Sequence, residues 1–282
     1  MGASAPSDLV PAPDWRPRLV ALDIDGTLCS GYGVSPILAH TTMTPAVRAA
    51  IGAVLRSDAH VVLSTGRSTI ATLPFLAELG LSAGTAICSN GAVSIDAATG
   101  AVLDQAVFDL VEPVSVLREV LPGAVFTVEE VGVGERTTLH IPGLPDFGGA
   151  VRVVDVDELV ATPSTRLTVH WPDRTRIDLA AALAGVQVPG AHCVYEVDGA
   201  WMDISPIGVT KGSALEALRV RVGVSAADTL AVGDGTNDLE MLAWAAHGVA
   251  MGQAPEVVRV VADEVCPSVA EDGLATLLSR WF

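Results

Sequence analysis

The sequence predicts an α/β protein with a Rossmann-like core, in which helices cover both faces of a parallel sheet, plus an inserted α+β domain. Short apolar runs alternate with helical patterns near both ends of the chain, and each run closes on a polar or glycine turn. Strands that alternate with helices in this way form parallel β-α-β units. The two halves are separated by roughly a hundred residues of different composition, and this segment is far too long for a loop.

Three apolar runs define the first half of the core. The runs at 19–22, 61–63 and 86–88 are predicted to be buried strands, because each is short, apolar and followed by turn residues. A helix is predicted to begin at Pro45, since Val47, Ile51 and Val54 recur at helical spacing. Ligand sites of such sheets form at the carboxyl ends of the strands.

The alternation resumes after about residue 200. Thr210 is the predicted cap of a helix that ends at Gly223, and strands are predicted at 230–232 and 249–251. Further helices are predicted around 239–245 and 274–281 from the spacing of their apolar residues. The two halves therefore form one sheet.

The predicted domains follow from these patterns. Residues 1–17, rich in Pro, Ala and Ser, form a disordered N-terminal tail, and residues 18–92 and 199–282 form the α/β core. Residues 93–198 form the inserted α+β domain, with strands expected at 125–128, 137–141 and 167–170.

Composition excludes several classes of partner. The chain has 33 acidic and 16 basic residues, a formal net charge of −17, which argues against binding to nucleic acid or to an anionic membrane. The four cysteines are scattered, and no signal peptide or membrane-spanning run is visible. We expect a cytoplasmic protein that is a monomer or a weak homodimer.

Acidic, basic and hydroxyl side chains follow the predicted core strands or begin a core helix. Because the carboxyl ends of parallel strands share one edge, these side chains should converge there. Carboxylates held so close repel one another unless a cation lies among them, and an oxygen-only ligand set selects Mg²⁺. Only one of the basic residues, Lys211, is a lysine. Its compact ammonium suits a site that needs a small cation rather than the planar guanidinium of arginine. The residues are Asp23, Asp25, Thr65, Lys211, Asp234 and Asp238.

The spacing of Asp23 and Asp25 suits a division of labour on a phosphate ester. One carboxylate attacks phosphorus, and the second donates a proton to the leaving oxygen and later deprotonates water. Gly26 allows the backbone N–H groups of this turn to face phosphate oxygens. Thr65 supplies a hydroxyl donor, although Ser64 is an alternative, and Lys211 offsets the charge of the transferring group.

Four further residues are candidates for the site, and three of them have two readings each. Gly66 accompanies Thr65 in the phosphate-facing turn. Arg67 either steers phosphate or pairs with a surface acid, and Asn90 either contacts substrate or belongs to an Asn-Gly turn. Asn237 either caps the next helix or supports the substrate and metal site.

The chain resembles the haloacid dehalogenase superfamily, and within it the Cof-type sugar phosphatases. The resemblance covers the whole core in the correct order. It rests on the segments at 23–28 (DIDGTL), 64–67 (STGR), 89–92 (SNGA), 208–212 (GVTKG) and 233–238 (GDGTND).

This resemblance implies an aspartyl-phosphate intermediate on Asp23 and a cap domain in the place of the insertion. It also implies Mg²⁺ held by Asp23, the Asp25 carbonyl and Asp234, with Asp238 and Asn237 in support. The chain departs from the family at Gln253, where Ala-Met-Gly-Asn is common. We expect the longer amide to lie near the rim of the site and to alter substrate fit.

Other functions compete with hydrolysis of a small-molecule phosphate ester. A signalling receiver domain also uses an acidic cluster with Thr and Lys, but it is short and places its acids on different strands. A dehalogenase has no use for Asp25 or a metal cluster. A phosphosugar mutase shares the core and the cap, and the sequence separates it poorly from a phosphatase.

Overall fold

Strands and helices alternate along the chain in the structure, a computed structural model that describes residues 14–30, 43–141, 148–195 and 199–282. None of the helices in these ranges is long and apolar enough to cross a membrane. The strands of the core are β1 (Leu19–Leu22), β2 (His60–Leu63), β3 (Thr85–Cys88), β4 (Val93–Asp96), β5 (Val102–Gln105), β12 (Thr229–Gly233), β13 (His247–Ala250) and β14 (Glu264–Val265). Those between β5 and β12 are β6 (Val125–Glu130), β7 (Gly134–Thr137), β8 (Ala150–Val153), β9 (Leu167–His170), β10 (Ala191–Tyr195) and β11 (Trp201–Pro206).

The helices fall into the same two groups. Those of the core are α1 (Pro45–Leu55), α2 (Thr69–Leu79), α6 (Lys211–Val222), α7 (Leu239–Trp244), α8 (Glu256–Val261) and α9 (Gly273–Leu278). Those between β5 and β11 are α3 (Val111–Val120), α4 (Val156–Val160) and α5 (Arg176–Ala182).

The core sheet is parallel, as the sequence predicts. Its strand order is β14-β13-β12-β1-β2, and every neighbouring pair in it is parallel. A bridge between Ser64 and Ile87 continues it to β3, which begins an antiparallel three-stranded sheet with β4 and β5. The first strand, β1, therefore lies inside the sheet and pairs with a strand from the far end of the chain.

Helices cover both faces of this sheet because its strands are apolar on both faces. All four residues of β1 are buried. Val20 and Leu22 enter one apolar cluster, together with residues of α1 and α9, whereas Leu19 and Ala21 enter another with residues of α6, α7 and α8. This alternation is the two-residue period of a strand. The predicted three-layer α/β fold is confirmed.

Local signals fix both ends of α6. The Thr210 hydroxyl accepts the Ser213 N–H, and the Ser213 hydroxyl in turn accepts the Thr210 N–H. This reciprocal capping satisfies two backbone donors of the first turn. Gly223 ends the helix in the left-handed conformation, as its position in the sequence predicts. Lys211, the first residue of α6, is therefore held at a defined place.

The inserted region forms a second sheet with one covered face. The strand order is β10-β11-β9-β6-β7-β8, and all neighbouring pairs are antiparallel except β7 with β8. Helices α3, α4 and α5 pack on one face of this sheet. The alternate residues of its central strands, among them Thr127, Thr168 and Asp203, belong to the opposite face, which we call the open face.

One of the three strands predicted in the insertion is displaced. The strand predicted at 137–141 is Gly134–Thr137. The β-branched residues at 137–138 favoured the later position, but the ladder with β6 and β8 uses Glu135 and Arg136, which are buried. A Cβ at Gly134 would lie 2.0 Å from the Ala150 oxygen, so the strand begins where glycine allows close approach.

The pairing of strands bears on where the inserted domain ends. Strand β11 pairs with β9 and β10, although it follows residue 198. Strand β4 pairs with β3 of the core, and β5 pairs with β4. We propose that the inserted domain comprises residues 108–206, ahead of which the Ala106 N–H still bonds to the Ala92 oxygen.

The predicted N-terminal tail, 1–17, lies largely outside the described residues. The end of it that is described packs on the core. Trp15 donates its indole N–H to the Ala227 oxygen at 2.8 Å, and its ring meets the rings of His247 and Trp281 edge to face.

We expect Gly212→Ala to destabilise the protein by about 1–3 kcal/mol, although alanine favours helices. A Cβ at Gly212 would lie 2.6 Å from the Glu240 oxygen, so α6 and α7 would be forced apart. The matched control is Gly52→Ala in α1, where the Cβ would meet only the mobile end of Arg56 at 3.3 Å. Chemical denaturation of both variants is the measurement. Equal stability of the two variants would contradict this packing.

Candidate active site

The chain places an aspartate at the end of the central strand. Asp23 follows β1, is 5 % exposed, and donates its backbone N–H to the Val232 oxygen of β12. Its Oδ1 atom accepts a hydrogen bond from Lys211, whereas Oδ2 accepts none from the described residues. One carboxylate oxygen is thus anchored, and the other remains available for reaction.

Lys211 joins two carboxylates in the interior. Its ammonium lies 2.7 Å from Asp23 Oδ1 and 2.6 Å from Asp238 Oδ1, and its side chain is fully buried. The second oxygen of Asp238 accepts the N–H groups of Asp234 and Gly235, both at 2.9 Å. Breaking such a buried pair by removing one partner costs about 3–5 kcal/mol.

Burial and mutual repulsion shift the pKa values of this cluster. Burial, followed by the charge of Asp238, raises the pKa of Asp23 well above its ordinary range, although Lys211 opposes the shift. Burial lowers the pKa of Lys211, but the adjacent Asp23 and Asp238 carboxylates outweigh it and raise the value overall. Burial and Asp238 raise the pKa of Asp234 to about 6. The cluster thus carries negative charge that its single lysine does not balance.

The same cluster fits a divalent cation. One carboxylate oxygen each from Asp23, Asp234 and Asp238 lie within 4.8 Å of one another. Three carboxylates with one ammonium leave an excess of negative charge, and an all-oxygen donor set suits Mg²⁺. Both oxygens of Asp238 accept hydrogen bonds, whereas Asp23 and Asp234 each keep one oxygen that accepts none from the described residues.

Asp25 forms a two-point ion pair with Arg67. The Arg67 Nε and Nη2 atoms lie 2.8 and 2.6 Å from the two Asp25 oxygens, and the guanidinium also covers the Phe75 ring at 4.7 Å. Planar two-point pairing is the geometry in which arginine binds carboxylates and phosphates most strongly. Arg67 thus pairs with an acid, which was one of its two readings in the sequence. The same guanidinium geometry also suits phosphate, which was the other reading.

Thr65 and Gly26 contribute differently from each other. Thr65 is buried after β2, and its hydroxyl oxygen accepts the Arg67 N–H at 3.0 Å, so its proton stays available for a phosphate oxygen. The alternative donor, Ser64, has a buried hydroxyl without a hydrogen-bond partner among the described residues. The N–H of Gly26 itself donates to the Cys29 oxygen at 2.8 Å, and the expectation that N–H groups of this turn face phosphate stays a prediction.

Two asparagines and a glycine form one contact at the edge of the site. Asn237 donates its side-chain N–H to Asn90 Oδ1 at 2.9 Å. A Cβ at Gly66 would lie 3.0 Å from Asn90 Oδ1 and 3.2 Å from the Asn237 nitrogen, so glycine is needed for this close packing. The contact links the turns that follow β2, β3 and β12.

A buried cluster of charges from the inserted domain, which the sequence did not reveal, meets this edge. Glu129 at the end of β6 accepts the Ser89 hydroxyl at 2.5 Å and lies 3.9 Å from the Arg166 guanidinium. Arg166 also donates to the Gly66 oxygen and lies 3.6 Å from Asp203. The open face of the second sheet therefore lies against the turn that carries Thr65. Charged residues that alternate in a strand predict an exposed face, so their pattern concealed this contact.

The open face also carries groups that remain accessible. Asp203 retains 15 % of its side-chain exposure and accepts the Thr168 hydroxyl at 2.5 Å. Farther along the face, the rings of His170 and Trp201 stack with their centroids 4.1 Å apart. At the end of β10, the Tyr195 oxygen lies 3.4 Å from the Thr236 hydroxyl of the core. The sheet thus contacts two separate turns of the core, which carry Gly66 and Thr236.

Comparison with known proteins decides the family. The haloacid dehalogenase-like hydrolase family matches residues 20–120 and 186–278, which include the whole acidic cluster and Lys211. The chain belongs to the haloacid dehalogenase-like hydrolases. The resemblance noted in the sequence is therefore confirmed.

Full-length relatives of this hydrolase are phosphatases. An HMP-PP phosphatase of Serratia proteamaculans is 27 % identical over 94 % of this chain and 95 % of its own length. A pyridoxal phosphate phosphatase of Escherichia coli is 26 % identical over 93 % of this chain and 97 % of its own length. The enzyme class of the chain is phosphoric monoester hydrolase.

Solved structures of other haloacid dehalogenase-like proteins share the fold. A phosphatase from Bacteroides thetaiotaomicron superposes with a TM-score of 0.78 at 24 % identity and covers 98 % of both chains. A subclass IIB sugar phosphatase superposes with a TM-score of 0.76 at 22 % identity, over 93 % of this chain and 98 % of the other. The arrangement of core and inserted domain is thus shared at low sequence identity.

We expect Asp234 to make the metal-free hydrolase less stable as the pH rises. Its pKa is about 6 in the folded protein against an ordinary 3.8, so the folded state binds more protons between these values and stability falls over that window. The difference between these two pKa values corresponds to on the order of 3 kcal/mol. Unfolding temperatures in EDTA at about pH 4 and about pH 8 measure the effect.

The variant Asp234→Asn should lose the fall in stability that ionisation of Asp234 causes. It should therefore be more stable than the wild type at the higher pH, and the two should differ little at the lower pH. Asp58→Asn, at an exposed site on the same domain, should follow the wild type. An identical pH dependence of Asp234→Asn and wild type would show that Asp234 ionises normally.

Proposed function

We propose that the chain hydrolyses small phosphate monoesters with Mg²⁺ through an aspartyl phosphate on Asp23. The observation that carries the proposal is the fixed Asp23 carboxylate, whose Oδ1 is bonded to the buried Lys211 while Oδ2 accepts no hydrogen bond from the described residues. A receiver-type phosphoacceptor is not favoured, because the match to the hydrolase family spans both parts of the core.

In the first half-reaction, Asp23 Oδ2 attacks phosphorus and the bond from phosphorus to the ester oxygen breaks. Lys211 keeps the attacking carboxylate oriented and offsets negative charge on the transferring group. The Thr65 hydroxyl donates to a phosphate oxygen. Asp25, in its protonated form, gives its proton to the departing oxygen, so that the leaving group departs as a neutral alcohol.

In the second half-reaction, water attacks the phosphorus of the aspartyl phosphate. Asp25, now a carboxylate, takes a proton from that water, and Asp23 is released as a carboxylate together with inorganic phosphate. Asp23 and Asp234, with the Asp25 backbone carbonyl, are the groups proposed to hold Mg²⁺. When bound, the ion supplies positive charge that neutralises the phosphoryl oxygens.

Arg67 has to change partner during this cycle. In the structure its guanidinium hydrogen-bonds both oxygens of Asp25 and therefore competes with a leaving oxygen or a water molecule for that carboxylate. A phosphate group offers the same two-point geometry to a guanidinium. We propose that substrate phosphate draws Arg67 away from Asp25 and thereby frees Asp25 for proton transfer.

The leaving group is proposed to lie against the open face of the inserted domain, which would act as the cap. Asp203 and Thr168 present hydrogen-bonding groups there, which suits a hydroxyl-bearing alcohol such as a sugar. We therefore propose sugar phosphates as the substrate class. HMP-PP and pyridoxal phosphate, named in the relatives, are the alternatives for which the stacked rings of Trp201 and His170 provide a platform. A cytoplasmic location and a monomeric or weakly dimeric state stay predictions.

We expect Asp23→Asn to abolish hydrolysis of p-nitrophenyl phosphate, because the neutral amide cannot form the aspartyl phosphate. EDTA should abolish wild-type activity, and added Mg²⁺ should restore it. Asp58→Asn, an exposed control, should retain full activity. Phosphate release is the measurement, with mass spectrometry of acid-quenched enzyme to detect a phosphorylated residue. Residual turnover in Asp23→Asn, or full activity in EDTA, would overturn the mechanism.

The role of Asp203 is tested by comparing two substrates. We expect Asp203→Asn to raise KM for a hexose 6-phosphate about 10-fold, since a charged hydrogen bond is worth about 1.5–3 kcal/mol, and to leave p-nitrophenyl phosphate almost unaffected. Asp173→Asn, in an exposed turn of the same domain, is the control. If KM rises equally for both substrates, Asp203 acts only by supporting Arg166. If neither is affected, the leaving group lies elsewhere.

A further inference from the structure

Gln253 is an exposed residue whose side chain is nevertheless fully engaged. It follows β13, and its amide nitrogen donates to the Gly26 oxygen at 2.6 Å and to Asp234 Oδ2 at 3.1 Å. Its amide oxygen accepts the Val269 N–H at 3.0 Å. One side chain thus links the turn after the nucleophile, the carboxylate of Asp234 and the turn before α9.

The two acceptors of Gln253 are in close contact with each other. Gly26 has a φ of +78°, and a Cβ there would lie 2.0 Å from Asp234 Oδ2. Only glycine permits this approach of backbone to carboxylate. The Gln253 amide nitrogen donates to the Gly26 oxygen and to Asp234 Oδ2, so its hydrogen bonds hold these two groups together.

The sequence placed Gln253 at the rim of the site, with an effect on substrate fit. The structure shows the exposed amide bonded to Asp234 and to the turn after Asp23, contacts that the sequence did not reveal, and the effect on substrate fit stays a prediction. Asparagine, which is common here in the family, is shorter by one methylene group. From the same backbone position it would reach less far toward these partners.

We propose that Gln253 is a positioning residue that orients Asp234 for Mg²⁺. It hydrogen-bonds Oδ2 of that carboxylate, so that Oδ1, which accepts no hydrogen bond from the described residues, would be the oxygen that binds the ion. The proposal rests on the Mg²⁺ site of the proposed function. Partners that orient metal ligands in this way are worth roughly 10- to 100-fold in metal affinity.

The test measures Mg²⁺ binding directly, by isothermal titration calorimetry of the full-length protein without substrate. We expect Gln253→Met, which keeps the length but removes every hydrogen bond, to weaken Mg²⁺ binding roughly 10- to 100-fold. Gln253→Glu, which places a second carboxylate beside Asp234, should weaken it at least as much. Gln105→Met, on the exposed strand β5, is the matched control and should bind as the wild type does.

Metal-free unfolding temperatures separate positioning from a purely structural role. If Gln253→Met unfolds at a lower temperature but binds Mg²⁺ as the wild type does, the proposal is overturned while the proposed function stands. If the wild type binds no Mg²⁺, both fail together. Activity adds a second readout: in Gln253→Met the Mg²⁺ concentration for half-maximal rate should rise, whereas KM for substrate at saturating Mg²⁺ should stay unchanged.

Discussion

The buried ammonium of Lys211 between Asp23 and Asp238 is the interaction on which the rest of the site depends. Without it, the interior would hold carboxylates with no cation, a state that proteins avoid by protonation or by unfolding. The lysine fixes one oxygen of Asp23 and, through Asp238, the backbone of the turn that carries Asp234. The proposed nucleophile and the proposed metal ligand are therefore oriented by the same charge.

Much of the core was predictable because its signals are local. Short apolar runs that end in polar turns identified β1, β2 and β12, and the common edge of a parallel sheet then grouped Asp23, Thr65 and Asp234. The single lysine of the chain drew attention to Lys211 on chemical grounds. Such inferences need only the period of a strand and the direction of its ends.

What the sequence concealed depends on how distant segments pack. Glu129 and Arg166 lie in strand patterns that indicate exposure, yet both are buried because the open face of one domain covers an edge of the other. The pairing of Asp25 with Arg67 and the reach of Gln253 likewise depend on side-chain directions between loops. No periodicity encodes these contacts, which arise only when the two halves of the core and the inserted domain are assembled.

The position of β1 inside the core sheet has a consequence for synthesis on the ribosome. One of its two neighbours is β12, which begins at Thr229, and Lys211 lies 188 residues beyond Asp23. A nascent chain therefore carries an open apolar edge on β1 until most of it has emerged, while the inserted domain, being continuous, can fold meanwhile. Pairings over such distances close slowly, so the lysine partner of Asp23 and the second neighbour of β1 both join the core late.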